Sequence, residues 1–204
     1  MKITDLQLQK KRDTRYNVYV DGEFYAGLSD ETVVRHGLYP GREVTAGELE
    51  AWRQESRDKF AFASAVDYVA KKRCSEREVF DNLTRKGYPP EAAAAAVAKL
   101  KDYGYLDDRA YALCYVDEKM SDRGELRLRA ELRQKGVEER WIEEALSRPL
   151  DFAASAEGVL KKYLRGRPRT PAVKASAFRH LAGRGFDYDL IREALAPFFE
   201  DEED

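Results

Sequence analysis

The chain has 204 residues, 43% of them hydrophobic and 36% charged, with a net charge of −2 and two cysteines. Such totals suit a helix-rich protein with one or two real cores. They exclude a membrane-spanning helix, since no apolar run nears the ~20 residues required. No secretory leader is expected, since the N-terminus lacks an apolar h-region, and Cys74 and Cys114, far apart and without CxxC spacing, suggest neither a zinc site nor a disulfide framework. The expected location is cytoplasmic.

Residues 1–28 read as a small antiparallel β segment. Ile3 to Leu8 alternates, Tyr16–Val20 is rich in strand formers, Asp21-Gly22 is a hairpin turn signal, and Phe24–Leu28 follows. Lys10–Arg15 is expected to be the first connection. Ser29 is placed as the N-cap of a short helix ending near Gly37. Thr45 with Glu48 forms a capping box. The helix it opens is expected to run, with or without a break, to about Arg73.

From there the chain repeats itself. Leu83-Thr-Arg-Lys-Gly87 returns as Leu132-Arg-Gln-Lys-Gly136 and as Leu181-Ala-Gly-Arg-Gly185, at a step of 49 residues (136 − 87, again 185 − 136). Each copy has the pattern of a Schellman cap. Gly at C′ takes the left-handed turn, while the Leu at C3 meets the apolar residue at C″ (Tyr88, Val137 or Phe186). Four apolar columns keep the same register: Val79/Leu128/Ala177, Ala93/Ile142/Ile191, Ala96/Ala145/Ala194 and Val97/Leu146/Leu195. A period of this size marks a repeat architecture. The predicted fold is mainly α: three tandem three-helix repeats in an extended array, preceded by the β segment. The boundaries are 1–55 for the β segment and linking helix, 56–104, 105–153 and 154–199 for the repeats, and 200–204 for an acidic tail.

Within repeat one, Ser75 with Glu78 is a second capping box, Pro90 marks a helix start, and the Ala92–Ala96 run reflects helix propensity. Repeat two opens on Asp107 or Asp108 as N-cap. Its segment Glu125–Leu132 alternates like a strand, yet every residue is a strong helix former, so helix is expected. In repeat three, Arg165–Pro171 is a loop between two helices.

Catalysis finds little support. His36 and His180 have no partner at triad or metal spacing, acidic pairs such as Asp107-Asp108 sit where helix caps want them, and no glycine loop cradles phosphate. No enzyme activity, metal or cofactor is expected. Charge placement is more informative. From Gly158 to Phe186 there is no acidic residue, while Lys161, Lys162, Arg165, Arg167, Arg169, Lys174, Arg179 and Arg184 accumulate. A positive surface of that kind attracts phosphate. Its anionic partner could be a nucleic acid, an acidic protein groove, or the chain's own Glu200–Asp204. The rival reading is a solvated face.

Repeat two adds Arg123, Arg127, Arg129, Arg133 and Lys135 on one helix. Arg129 occupies the column held by Phe80 and Phe178 in the sibling repeats. Either that face serves a partner, or a long arginine stem covers the same apolar surface. Tyr111 and Tyr115, at i and i+4, could stack on a base or partner side chain, though tyrosines so spaced more often pack half-buried.

The run Tyr105-Leu-Asp-Asp-Arg-Ala-Tyr-Ala112, then Tyr115-Val116, then Gly124–Val137 resembles the central signature of the RecX proteins, regulators of the RecA recombinase. The resemblance extends more loosely over residues 56 to about 199. It implies a non-enzymatic protein of tandem three-helix motifs that binds RecA–DNA filaments along their groove and modulates ATP hydrolysis, strand exchange or filament growth. Many members also bind DNA. Arg109, Tyr111, Arg127, Arg129, Arg133 and Lys135 match as contact candidates, and the acidic tail is a departure. Binding to single- or double-stranded DNA is expected to be salt-sensitive and largely non-specific. Without a coiled-coil seam, a monomer is expected. The competing classes are a stand-alone nucleic-acid module, working in helix-turn-helix fashion, and a pure protein scaffold.

Overall fold

A computed structural model describes residues 1–10 and 12–199. Its elements run β1 (Ile3–Gln9), β2 (Arg12–Val20), β3 (Glu23–Ser29), α1 (Asp30–Arg35), α2 (Ala46–Val69), α3 (Glu76–Arg85), α4 (Pro90–Asp102), α5 (Asp108–Lys119), α6 (Glu125–Gln134), α7 (Glu139–Leu146), α8 (Phe152–Leu164), α9 (Pro171–Ala182) and α10 (Tyr188–Phe199). The chain divides into two compact units. One holds Met1–Cys74 and Val79–Leu106; the other holds Ser75–Glu78 and the residues from Asp107 onward.

In the first unit, β1, β2 and β3 form an antiparallel sheet in sequence order. Asp21 and Gly22 both take positive φ (50° and 90°), the geometry of a hairpin turn whose twist matches its strands. The first connection is shorter than expected. The pairs Leu8↔Tyr16 and Gln9↔Arg12 carry the ladder outward, with a register shift between Leu8 and Gln9, so β2 starts at Arg12. Cross-strand pairing here overrides the weak strand preference of a charged run. Lys11, inside that expected connection, lies outside the described residues. One face of the sheet buries Ile3, Val18, Val20, Ala26 and Leu28 with Leu49 and Trp52 of α2.

The helix α2 runs unbroken for 24 residues and ends at Val69, short of Arg73. The Thr45–Glu48 capping box is formed in full. Against α2 lies α4, and the contact is made of small residues: Ala61, Ala65, Ala92, Ala93 and Ala96 are all buried in one cluster. The alanine run thus serves close helix packing as well as propensity.

The repeat frame is realised in detail. Leu83, Leu132 and Leu181 are each fully buried, and every residue of the four apolar columns is buried except Ala194, which is half-buried. The three caps make the same backbone bonds. Tyr88, Val137 and Phe186 donate their N–H to the carbonyls of Leu83, Leu132 and Leu181 at 3.1, 3.1 and 3.4 Å. Gly87, Gly136 and Gly185 take φ of 87°, 78° and 83°. Separate cores serve α5–α7 and α8–α10. Glu125–Gln134 is helical, as its composition requires. Both histidines pack against aromatic rings: His36 lies on Trp52 and bonds Glu55 at 2.8 Å, while His180 stacks on Tyr163 at 4.4 Å.

Candidate protein and nucleic-acid interface

The second unit holds the basic residues singled out from the sequence, and it treats the two clusters differently. On α6 the arginines are bound into carboxylate networks. Arg129 reaches Glu125 at 3.1 Å and Glu139 at 2.7 Å, and Arg133 shares Glu139 at 2.7 Å. The hydrogen bond from Arg133 first, with a further one from Arg129, holds the Glu139 carboxyl down to about 2 against the opposing effect of desolvation. Arg127 meets Glu131 at 2.9 Å, and Arg123, which precedes α6 instead of lying on it as expected, bonds the other oxygen of that carboxylate, while Lys135 is the C-cap. The Tyr115 hydroxyl donates to Glu131 at 2.8 Å, and burial first, then this bond, pushes its pKa up.

The remaining candidates of the middle repeat are also engaged. Lys135 pairs with Glu78 at 2.8 Å and lies over Tyr115 (5.4 Å) and Tyr111 (5.9 Å). Those tyrosines stack on each other at 6.0 Å, and the Tyr111 hydroxyl sits 3.3 Å from Glu78. Tyr111 is buried, so the packing reading holds for it. Arg109 makes a two-pronged pair with Glu144 through Nε at 2.9 Å to both oxygens. The column of Phe80, Arg129 and Phe178 proves to be a boundary column, half-buried in all three copies, rather than a core position. An arginine stem fits there with its head in ion pairs.

The third repeat differs. Lys161 pairs with Glu157 four residues earlier, and Arg184 approaches Asp122 at 3.5 Å. Among the described residues, Lys162, Arg165, Arg167, Arg169, Lys174 and Arg179 have no carboxylate partner. Arg169 caps carbonyls instead, donating to Leu164 at 3.1 Å and Arg167 at 2.8 Å. Arg167 lies over the Tyr163 ring at 4.3 Å, whose neighbour is the stacked His180. Burial first, then the charges of Arg184 and Arg167, lower the His180 pKa below its usual 6.5. Between α9 and α10 a groove of about 670 Å³ is lined by Lys174, Phe178, Tyr188 and Arg192 among others. Tyr188 is 63% exposed and meets Phe178 edge-on. This face combines cations that lack a carboxylate partner among the described residues with the exposed Tyr188 and the half-buried Phe178 and Tyr163, and Glu193 also lines the groove. The acidic tail weighed as its competitor lies outside the described residues.

Sequence reasoning missed a joint that recurs between cap and helix start. The N–H groups of Gly124 and Leu126, at the open end of α6, donate to the carbonyls of Arg184 and Gly185 at 2.9 and 3.1 Å. The first turn of α3 is met likewise, where the Ser75 hydroxyl donates to the Lys135 carbonyl at 2.6 Å and Glu76 N–H to Asp108 at 2.9 Å. A Cβ on Gly136 would stand 2.5 Å from that of Arg77, and one on Gly185 closer still to the Arg127 backbone. The available signal was Gly124 and the cap glycines standing at a constant step, read as helix ends alone.

The assembly defined here is a tandem three-helix repeat protein with a β-sheet N-terminal segment. Four family models match in order: the regulatory protein RecX N-terminal domain over residues 1–45, and the first, second and third RecX three-helix domains over 61–100, 107–146 and 151–195. The regulatory protein RecX of Bacillus licheniformis is 31% identical, with 95% of this chain and 76% of that protein covered. The RecX of Clostridium botulinum (strain Alaska E43 / Type E3) is 29% identical over 95% and 94% of the two chains. A crystal structure of regulatory protein RecX superposes with a TM-score of 0.68 at 25% identity, covering 95% of this chain and 98% of that one. RecX from Lactobacillus salivarius shares the fold at a TM-score of 0.60 and 21% identity, over 70% of this chain and 96% of its own. The chain belongs to the RecX family of regulatory proteins.

No described helix is long and apolar enough to cross a membrane, and no group of three or more potential metal ligands occurs among the described residues.

Proposed function

We propose that this protein binds the RecA recombinase filament on DNA and modulates its ATPase, strand exchange and growth, in the direction of inhibition, during recombination, DNA repair and the SOS response. It acts as a cytoplasmic monomer without catalysis or cofactor. Membership of a family of regulators supports the class. The observation that carries the assignment to a polyanionic filament is the third repeat, where Lys162, Arg165, Arg167, Lys174 and Arg179 stand exposed without a carboxylate partner among the described residues. Cations left uncompensated in this way release counterions when they meet phosphates and so bind them in a salt-dependent manner.

The alternative of a free-standing nucleic-acid module reading DNA through helix starts is disfavoured by two features. The α6 start is occupied by the Arg184–Gly185 carbonyls, and the α6 arginines Arg127, Arg129 and Arg133 are tied to Glu131, Glu125 and Glu139. On this reading Arg127, Arg129, Arg133, Lys135, Arg109 and Tyr115 organise the middle repeat, and the third repeat supplies the charge. DNA-dependent ATP hydrolysis by preformed RecA filaments, titrated with this protein, tests the proposal. A substoichiometric fall in rate, abolished by Lys162→Glu/Arg165→Glu/Arg167→Glu/Lys174→Glu, is expected. An unchanged rate despite firm binding of free DNA would favour the nucleic-acid module instead.

A further inference from the structure

The first unit carries a second group of cations that the proposed function does not use, two of which, Arg57 and Lys86, have no carboxylate partner among the described residues. Along α2, residues 53, 57, 60 and 64 fall at i, i+4, i+7 and i+11, which places Arg53, Arg57, Phe60 and Ser64 on one stripe. That stripe faces the polar side of the sheet. Gly27 leaves the space there: a Cβ at this position would come 3.2 Å from the Arg15 side chain, which lies over the Phe60 ring at 3.6 Å. A cavity of about 490 Å³ opens between them and the α3–α4 turn, with Arg15, Arg53, Arg57, Phe24, Phe60 and Tyr88 in its wall and no carboxylate among its lining residues. A second cavity of about 750 Å³ continues past Phe60 and Tyr88 to Lys86, with Asp67 as the one carboxylate in its wall.

The charge state of this groove is set by its partners. Arg53 is held by Glu50 at 2.7 Å. Arg57 and Lys86, in contrast, bond only neutral groups among the described residues, Gln54 Oε1 at 3.4 Å and Ser64 Oγ at 2.7 Å. Phe24 is 58% exposed beside them. A linear run of cations interleaved with aromatic rings suits a strand whose phosphates repeat and whose bases are unstacked. An acidic peptide would have no use for the rings.

We propose that this groove binds single-stranded nucleic acid, with Arg57 and Lys86 on phosphates and Phe24 or Tyr88 against bases. The inference shares with the proposed function only the identity of the polyanion, and its readout needs no recombinase.

The test uses the full chain carrying Lys162→Glu/Arg165→Glu/Arg167→Glu/Lys174→Glu, so that the third repeat is silent, and a twelve-nucleotide oligothymidylate followed by anisotropy. Adding Arg57→Glu/Lys86→Glu removes two phosphate contacts. The slope of log K against log salt is then expected to fall by about 1.4, with binding roughly 10- to 30-fold weaker at about 0.1 M salt. The matched pair Lys71→Glu/Lys99→Glu, of equal charge change outside the groove, is expected to leave the slope in place. Photocrosslinking of an iodouridine-substituted strand to wild-type protein should yield adducts at Phe24, Phe60 or Tyr88. Three results would overturn the proposal: an unchanged slope in the groove variant, adducts confined to residues 158–199, or tighter binding of an oligoglutamate than of the oligonucleotide. If the ATPase effect survives while the groove variant binds DNA normally, the groove assignment fails and the regulatory reading stands.

Discussion

Replacing each cap glycine by alanine separates the two tasks that these glycines perform. All three hold a left-handed conformation, with φ of 87°, 78° and 83° at Gly87, Gly136 and Gly185. An L-residue there costs about 1–2 kcal/mol. The surroundings differ. At Gly87 an added Cβ meets nothing within 4 Å, so Gly87→Ala should cost that strain alone. At Gly185 the Cβ would collide with the Arg127 backbone, and the third-closest atom, Arg127 Cα, is only 2.8 Å away. Relief requires moving the loop off the start of α6. That weakens the Gly124–Arg184 and Leu126–Gly185 backbone bonds, each worth about 1 kcal/mol net and more if a donor is left buried without a partner. The expected total for Gly185→Ala is about 3–5 kcal/mol. Gly136→Ala should also cost more than the strain alone, because its nearest neighbour is the Arg77 Cβ at 2.5 Å, an atom fixed by the α3 backbone, so the start of that helix must shift. With a urea m-value of about 2 kcal/mol/M, the midpoint of the affected transition should drop by under 1 M for Gly87→Ala and by about 2 M for Gly185→Ala. Equal midpoints for the two variants would refute the joint and reduce all three glycines to caps.

Other predictions concern charge and packing. Leu132→Ala, at a fully buried C3 position, should destabilise the second unit by about 2–5 kcal/mol in urea melts. Arg129→Met should leave DNA affinity within about twofold, since its head is spent on Glu125 and Glu139, whereas Arg167→Glu should weaken DNA binding severalfold and flatten its salt dependence; reversed outcomes in anisotropy titrations would return the interface to α6. Glu139, whose carboxyl is held near 2 when folded, binds protons more readily unfolded, so its stabilisation is present above about pH 4.3 and is lost as pH falls toward 2. Urea midpoints from pH 7 to 3 should therefore fall more steeply in wild type than in Glu139→Gln. His180 acts in the same direction for a different reason: burial penalises its charged form and its folded pKa lies below 6.5, so stability from this group also rises as pH climbs through the window up to 6.5. NMR titration of the imidazole should show that depressed value, moving upward when DNA neutralises Arg167.

The fold was readable from the sequence because its strongest signals are local and repeated. Leu83, Leu132 and Leu181 announce their burial by recurring beside a glycine whose conformation few other residues accept. Thr45, Ser75 and Asp107 announce helix starts through side-chain bonds made within three residues. The length of β2 was not readable, since the pairing of Gln9 with Arg12 depends on a partner strand and not on the propensities of the run itself. Nor was the state of the arginines on α6. A run of basic residues looks the same whether its acids lie in the same helix, as Glu125 and Glu131 do, or arrive from elsewhere, as Glu78 and Glu139 do.

The residues that carry the RecX resemblance divide in a way that bears on where partners should be sought. Asp107 caps α5, Asp108 receives the Glu76 N–H, Gly124 admits the Arg184–Gly185 loop, and Lys135-Gly136 meets Ser75 and Arg77. Apart from the local Asp107 cap, these roles join one part of the second unit to another, and at Gly124 and Gly136 an added Cβ would clash. A joint constrains residue identity at single positions, because one backbone must approach another within a fraction of an ångström. A polyanion contact constrains only the sign of charge over a surface, and lysine or arginine a few positions away satisfies it. Recognisable motifs in such a chain therefore mark how its helices lock together. The surfaces proposed to meet a filament or a strand are defined by cations rather than by a motif of their own: Lys162–Arg179 in the third repeat, and Arg57 with Lys86 in the first unit.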